Sequence, residues 1–127
     1  MGVDVLCILF QYRKDKSCMK NLAQTVVEQH RTNCPLTIAK EMGIIISFVL
    51  LSISGFWNRY KGEDFFYISS SLDRNALAFT VAYLLGHVLL ANLQHTLPHN
   101  APNFPDDDRT VDEKADEFAR LLVNWTK

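Results

Sequence analysis

The sequence predicts an α+β domain with its helices packed on one small sheet, and three observations lead to that class. A β-branched apolar run punctuated by Gly43 and Gly55 sits in the middle of the chain. Ser70 with Asp73, and Thr110 with Glu113, have the spacing of helix capping boxes. The resulting order of elements is helix, helix, three strands, helix, helix.

Apolar residues at 22, 23, 26 and 27 (Leu22, Ala23, Val26, Val27) recur at helical spacing and predict a first helix over 19–31, with Lys20, Gln24, Glu28 and Gln29 facing solvent. Asn33-Cys34-Pro35 breaks it, and Pro35 opens a short second helix ending at Gly43, with Leu36, Ile38, Ala39 and Met42 inward. The run 43–57, GIIISFVLLSISGFW, is shorter than the roughly 18 to 20 apolar residues of a spanning helix. It reads as buried strand, and no membrane partner is expected. Strands are predicted over 44–51, 54–60 and 64–69, with Lys61-Gly62-Glu63 as a hairpin turn, which gives a small meander.

The Ser70/Asp73 box opens a strongly apolar central helix from Leu72 to about Gln94. Pro98, Pro102 and Pro105 make the following segment a surface loop. Asp106, Asp107 and Asp108 then place negative charge ahead of a final helix over 111–125, whose buried stripe is Ala115, Phe118, Ala119, Leu122 and Val123.

At 127 residues and 48% apolar composition, the chain has enough material for one core. A net charge of −1 supplies no global basic field for phosphates, and Arg13-Lys14-Asp15-Lys16 is short and partly neutralised. Direct nucleic acid recognition is therefore not expected. Cys7, Cys18 and Cys34 form no C-x-x-C pair; their odd number suits a reducing, cytoplasmic setting, and Cys34 has no local histidine to make it a nucleophile. The apolar opening, residues 2–10, is interrupted by Asp4 and lacks a basic leader, so it reads as an edge strand or a tail rather than a signal peptide.

The string AFTVAYLLGHVLL, residues 78–90, resembles the RFTLAHELGHxLLH signature of the ImmA/IrrE-type metallopeptidases, matching at Phe79, Thr80, Ala82, Leu85, Gly86, His87, Leu89 and Leu90. Residues 112–122, DEKADEFARLL, are similar to that family's E-x-E-A-N-x-F-A-x-x-L-L block. Pro35 to Ala39 with Gly43-Ile44, then Gly55-Phe56, then Tyr67-Ile68-Ser69, resemble its upstream pieces in order. The resemblance covers residues 19–125 and leaves 1–18 as an N-terminal extension before a domain at 19–127. It implies a zincin-like fold and a family whose usual work is cutting repressor-type transcription factors in phage, mobile-element and stress-response circuits.

In that family an H-E-x-x-H helix places two zinc ligands one turn apart and a glutamate as general base. Carried over, the first histidine is Tyr83, the glutamate Leu84, the second histidine His87, and the downstream third ligand Asp112. A phenol with a pKa of about 10 is a poor ligand and a leucine accepts no proton, so neither catalysis nor a bound cofactor is expected. His87 is expected to hydrogen-bond Asp112 or the Tyr83 hydroxyl, with Tyr83 and Leu84 filling the space of metal, water and base.

The resemblance thus implies a noncatalytic pseudopeptidase that binds a protein partner, a repressor or other regulator of a phage or mobile element. One alternative is a metallopeptidase with a rearranged zinc site drawn from His87, His95, His99 and Asp112. Another is a self-associating domain that uses the aromatic strand residues Phe56, Trp57 and Tyr60.

Overall fold

Amphipathic spacing around Leu22 and Val26 becomes helix α1, Cys18–His30, which ends where Arg31 turns to φ 58°. A computed structural model describes residues 18–96 and 110–125. Expectations for residues 1–17, for the three prolines, and for His99 and Asp106 to Asp108 lie outside those residues. Proline in its first turn opens α2, Pro35–Glu41. Its exit is a Schellman turn, because the Gly43 N–H donates to the Lys40 carbonyl and the Ile44 N–H to the Ala39 carbonyl, each at 3.0 Å. Gly43 supplies the positive φ of 82° that this turn needs.

Three strands follow: β1 Ile45–Val49, β2 Gly55–Tyr60 and β3 Glu63–Ser69. Their spatial order is β1-β3-β2, with β1 parallel and β2 antiparallel to β3, so the sheet is mixed and the expected meander does not form. The reason lies in β3. Phe66 and Ile68 are fully buried, and Phe65 and Tyr67 are partly buried on the other face, so this strand takes the middle. β2 carries Asn58, Arg59 and Tyr60 and tolerates an edge. The β2–β3 hairpin turns through Lys61 and Gly62, at φ 51° and 80°, the double positive φ of a two-residue turn.

β1 is a strand as expected, but it is not buried. It forms the other edge, with Ile45 42% and Phe48 53% exposed, and Leu50 beyond it is 90% exposed. Position in the sheet overrides apolarity, because no strand among the described residues pairs with its outer side.

Helix α3, Arg74–Thr96, starts two residues later than expected. Asp73, not Ser70, caps it: the Asp73 Oδ1 accepts the Ala76 N–H at 2.7 Å, while Ser70 still belongs to the sheet through its N–H to the Val49 carbonyl at 2.9 Å. α3 is the core helix, with Val81, Ala82, Leu85 and Val88 fully buried. Among the described residues it is the one helix long and apolar enough to cross a membrane, and half of that stretch is buried within the domain.

Helix α4, Val111–Val123, carries the expected capping box: the Glu113 N–H donates to the Thr110 Oγ1 at 3.2 Å and the Thr110 N–H to the Glu113 Oε1 at 2.9 Å. α4 packs chiefly on α3 and also on α1. Asn33, in the α1–α2 connection, donates its Nδ2 to the Leu122 carbonyl at 3.2 Å and so caps the far end of α4. Among the described residues, four helices and the mixed sheet make an α+β fold.

Candidate functional site: the junction of α3 and α4

Gly86 sets the geometry of this junction. A Cβ there would lie 3.1 Å from the Ala115 Cα and 3.2 Å from the Phe118 Cδ2, so the two helices approach closely only because position 86 has no side chain. His87 follows it and Tyr83 precedes it by three residues, which puts both rings on one face of α3. Asp112 is in the first turn of α4. The Gly86–Ala115 contact therefore carries the Asp112 carboxylate to the two rings.

The Tyr83 hydroxyl donates to the Asp112 Oδ1 at 3.0 Å, and the His87 Nε2 lies 3.1 Å from the same oxygen. The Tyr83 and His87 rings meet edge to face with centroids 4.8 Å apart, and Phe79 stacks on the far side of Tyr83 at 6.4 Å. Burial of the phenol, its hydrogen bond to Asp112 and the negative charges of Asp112 and Asp116 all raise the Tyr83 pKa above its ordinary value. Tyr83 is thus held as a neutral donor at neutral pH. Beside the pair opens a cleft of about 430 Å³ lined by Tyr83, Asp112, Glu113, Asp116 and Arg120. The Arg120 Nη2 reaches the Asp116 Oδ2 at 2.7 Å within it.

Leu84 does not share this cleft. It is 6% exposed and belongs to the apolar core, so only Tyr83 of the two replacements stands beside His87 and Asp112. The expectation that Leu84 fills part of the site is corrected: one residue is about 100° of helix rotation, enough to turn it inward.

Among the described residues the donor set at this junction does not fit zinc. Among the described residues no three His, Cys, Asp or Glu side chains converge. A neutral imidazole bonded to a carboxylate through Nε2 carries its proton there and has no lone pair on that nitrogen. Three protein ligands are the norm for a catalytic site, whereas this one offers His87 and an Asp112 oxygen already occupied by Tyr83. His95 falls in the last turn of α3.

Phe56, Trp57 and Tyr60 are all on β2 but do not form one surface. Phe56 stacks on Tyr67 at 5.0 Å on the outer face, and Tyr60, four positions further on the same face, is 60% exposed. Trp57 turns to the helix side and donates its Nε1 to the Asp64 Oδ1 at 2.9 Å. Sequence reasoning missed the network around it. Arg59 donates to both Asp64 oxygens, at 2.7 and 3.3 Å, and to the Asn92 Oδ1 at 2.9 Å, tying β2 to α3. The signal was present in the two-residue turn, which fixes Arg59 directly opposite Asp64.

Comparison with protein-family models, with curated proteins and with solved structures finds no match to this chain. What the site can do follows from its own groups. It offers a carboxylate fixed by a phenol and an imidazole, on the wall of a cleft with three acidic side chains and one arginine. Such a surface is suited to receiving hydrogen-bond donors and cationic groups.

Proposed function

We propose that this chain is a noncatalytic, zincin-like relative of the ImmA/IrrE-type metallopeptidases that binds a protein partner in the cytoplasm without cutting it. The partner is a repressor or other transcription regulator of a phage or mobile element. The observation that carries this reading is the closed set Tyr83–Asp112–His87, in which the positions that would ligate metal in that family satisfy one another instead. Leu84, at the position of the family's base, is a core residue and supports the same reading. The acidic balance of the cleft favours a partner segment that presents lysine or arginine.

The test has two arms. Purified chain equilibrated with zinc and dialysed is expected to retain none by elemental analysis, and one tightly held zinc per chain with chelator-sensitive proteolysis refutes the proposal in favour of a peptidase. Tagged chain is expected to capture a regulator from host lysate, and the double reversal Asp112→Arg with Asp116→Arg is expected to abolish capture while circular dichroism stays unchanged. Capture that survives the reversal removes the cleft as the binding surface.

A further inference from the structure

β1 is an edge without the usual protection. Natural edge strands are blunted by charge, proline or a bulge, and β2 meets that description with Arg59 followed by Lys61. The sequence of β1, IISFV, has none of these, and no charged residue stands between Glu41 and Arg59. Among the described residues no strand pairs with its outer side. Its register with β3 puts Ile45, Ser47 and Val49 on the outer face of the sheet and Ile46 and Phe48 on the helix side. Phe48 is 53% exposed although it faces the helices, so no described helix closes over the edge at that point. Leu50, just past the strand, is 90% exposed.

We infer that β1 pairs antiparallel with β1 of a second copy about a twofold axis at Ser47, joining two three-stranded sheets into one. The strand is complementary to itself in that register. Ile45 lies opposite Val49 of the second copy and Ile46 opposite Phe48, so apolar side chains meet apolar ones on both faces and all five residues are used. The small Ser47 side chain takes the self-contact on the axis, and moving the axis to Ile46 or Phe48 shortens the paired stretch. With no charge between Glu41 and Arg59, the pairing brings no like charges together along the strand. The exposed surface of Ile45, Phe48 and Leu50 amounts to roughly 400 Å² per copy, and with the edge backbone two copies approach the ~1,000 Å² that a small specific interface buries. That size is at the low end for stable association, so the dimer is reversible and forms as concentration rises. A twofold contact of this kind closes at two copies and does not propagate into a filament. None of these residues lines the α3–α4 cleft, so the pairing does not depend on what that cleft binds.

Light scattering of the full chain from about 10 µM to about 1 mM is expected to show a monomer passing to a dimer, with hydrogen–deuterium exchange at 45–49 slowing in step. Ser47→Lys sets like charges opposite each other on the axis. It is expected to keep the chain monomeric and exchange at 45–49 fast at every concentration, with circular dichroism unchanged. Ser47→Cys, treated with a mild oxidant, is expected to form a disulfide between copies, because directly opposite Cα atoms lie about 4.5–5.5 Å apart. Ile45→Cys is offset from its counterpart by four residues, about 13 Å, and is expected not to link to itself. Mapping the linked peptides by mass spectrometry separates these bridges from any formed by Cys7, Cys18 or Cys34. A monomer at the top of the range overturns the inference. So does protection of 45–49 that is independent of concentration, which would mean that another part of the chain covers the edge. A dimer that survives Ser47→Lys, or an Ile45→Cys bridge as abundant as the Ser47→Cys bridge, also overturns it. Should Ser47→Lys fail to fold, the comparison of the two cysteine variants decides.

Discussion

Replacing Gly86 by alanine adds a single methyl group at the point where α3 and α4 touch. The new Cβ would sit 3.1 Å from the backbone Cα of Ala115 and 3.2 Å from both the Ala115 Cβ and the Phe118 Cδ2. Ala115 and Phe118 are themselves fully buried, so neither has free space to retreat into. In an exposed helix the same change would gain about 1 kcal/mol of propensity. Overpacking a fixed core costs about 1–3 kcal/mol, so the contact outweighs the propensity and the net is a loss of about 1 kcal/mol. For a domain of this size that corresponds to a fall of about 5 °C in Tm. Gly86→Val, with two further carbons and a β-branch, is expected to lose more. Urea unfolding followed by circular dichroism measures both, with the slope checked for constancy. A Gly86→Ala protein more stable than the parent would refute the reasoning, because it would mean that α4 yields freely and that Gly86 does not set the approach of Asp112 to Tyr83 and His87.

Other consequences are as direct. Tyr83 is expected to titrate above the ordinary tyrosine value in a spectrophotometric titration, and Tyr83→Phe removes that late step. Because its folded pKa is raised, the stability it contributes is fully present below the unfolded value near 10 and is lost as pH rises through the folded value, so the parent should lose its advantage over Tyr83→Phe only in that alkaline range. Hydrogen bonds from the Thr37 side chain and backbone lower the Cys34 pKa against a smaller effect of burial. The exposed Cys34 thiol should therefore alkylate at lower pH than a free cysteine, and Thr37→Val should move that midpoint up when modification is followed by mass spectrometry. Asp73→Ala should cost about 1 kcal/mol through loss of the α3 cap, whereas Ser70→Ala should cost much less, as read by chemical denaturation.

Elements governed by local chemistry were legible in the sequence. Pro35, Gly43 and the Thr110–Glu113 box each fix backbone within a few residues of themselves and are found where the sequence places them, and the hairpin turn is found at Lys61-Gly62, one residue shorter than expected because Glu63 opens β3. What failed was non-local. Apolar content in 45–49 does not distinguish a central strand from an edge, since that depends on which strand takes the middle, and Phe66 and Ile68 decide it from β3. Ser70 and Asp73 both qualify as caps by type; it is the Asp73 carboxylate that accepts the Ala76 N–H, while the Ser70 N–H bonds to the Val49 carbonyl. At the site, helical spacing was enough to put Tyr83 and His87 on one face, and the family resemblance pointed to Asp112, whereas the close approach at Gly86 that joins them came from the structure. Spacing was not enough to foresee that Leu84 would be enclosed by the core, nor that Arg59 would reach Asn92 on a helix 33 positions away.

The strand order β1-β3-β2 also orders events in time. The β2–β3 pairing closes a two-residue turn and involves near neighbours, whereas the parallel β1–β3 pairing joins Ile45 to Phe65 with β2 and the turn in between. Local pairs lose the least chain entropy on closing, so the hairpin is expected to condense first and to offer its β3 side as the surface on which β1 is laid down last. Substitutions in β1 should then accelerate unfolding and leave the folding rate nearly untouched, while substitutions at the Lys61-Gly62 turn should slow folding itself.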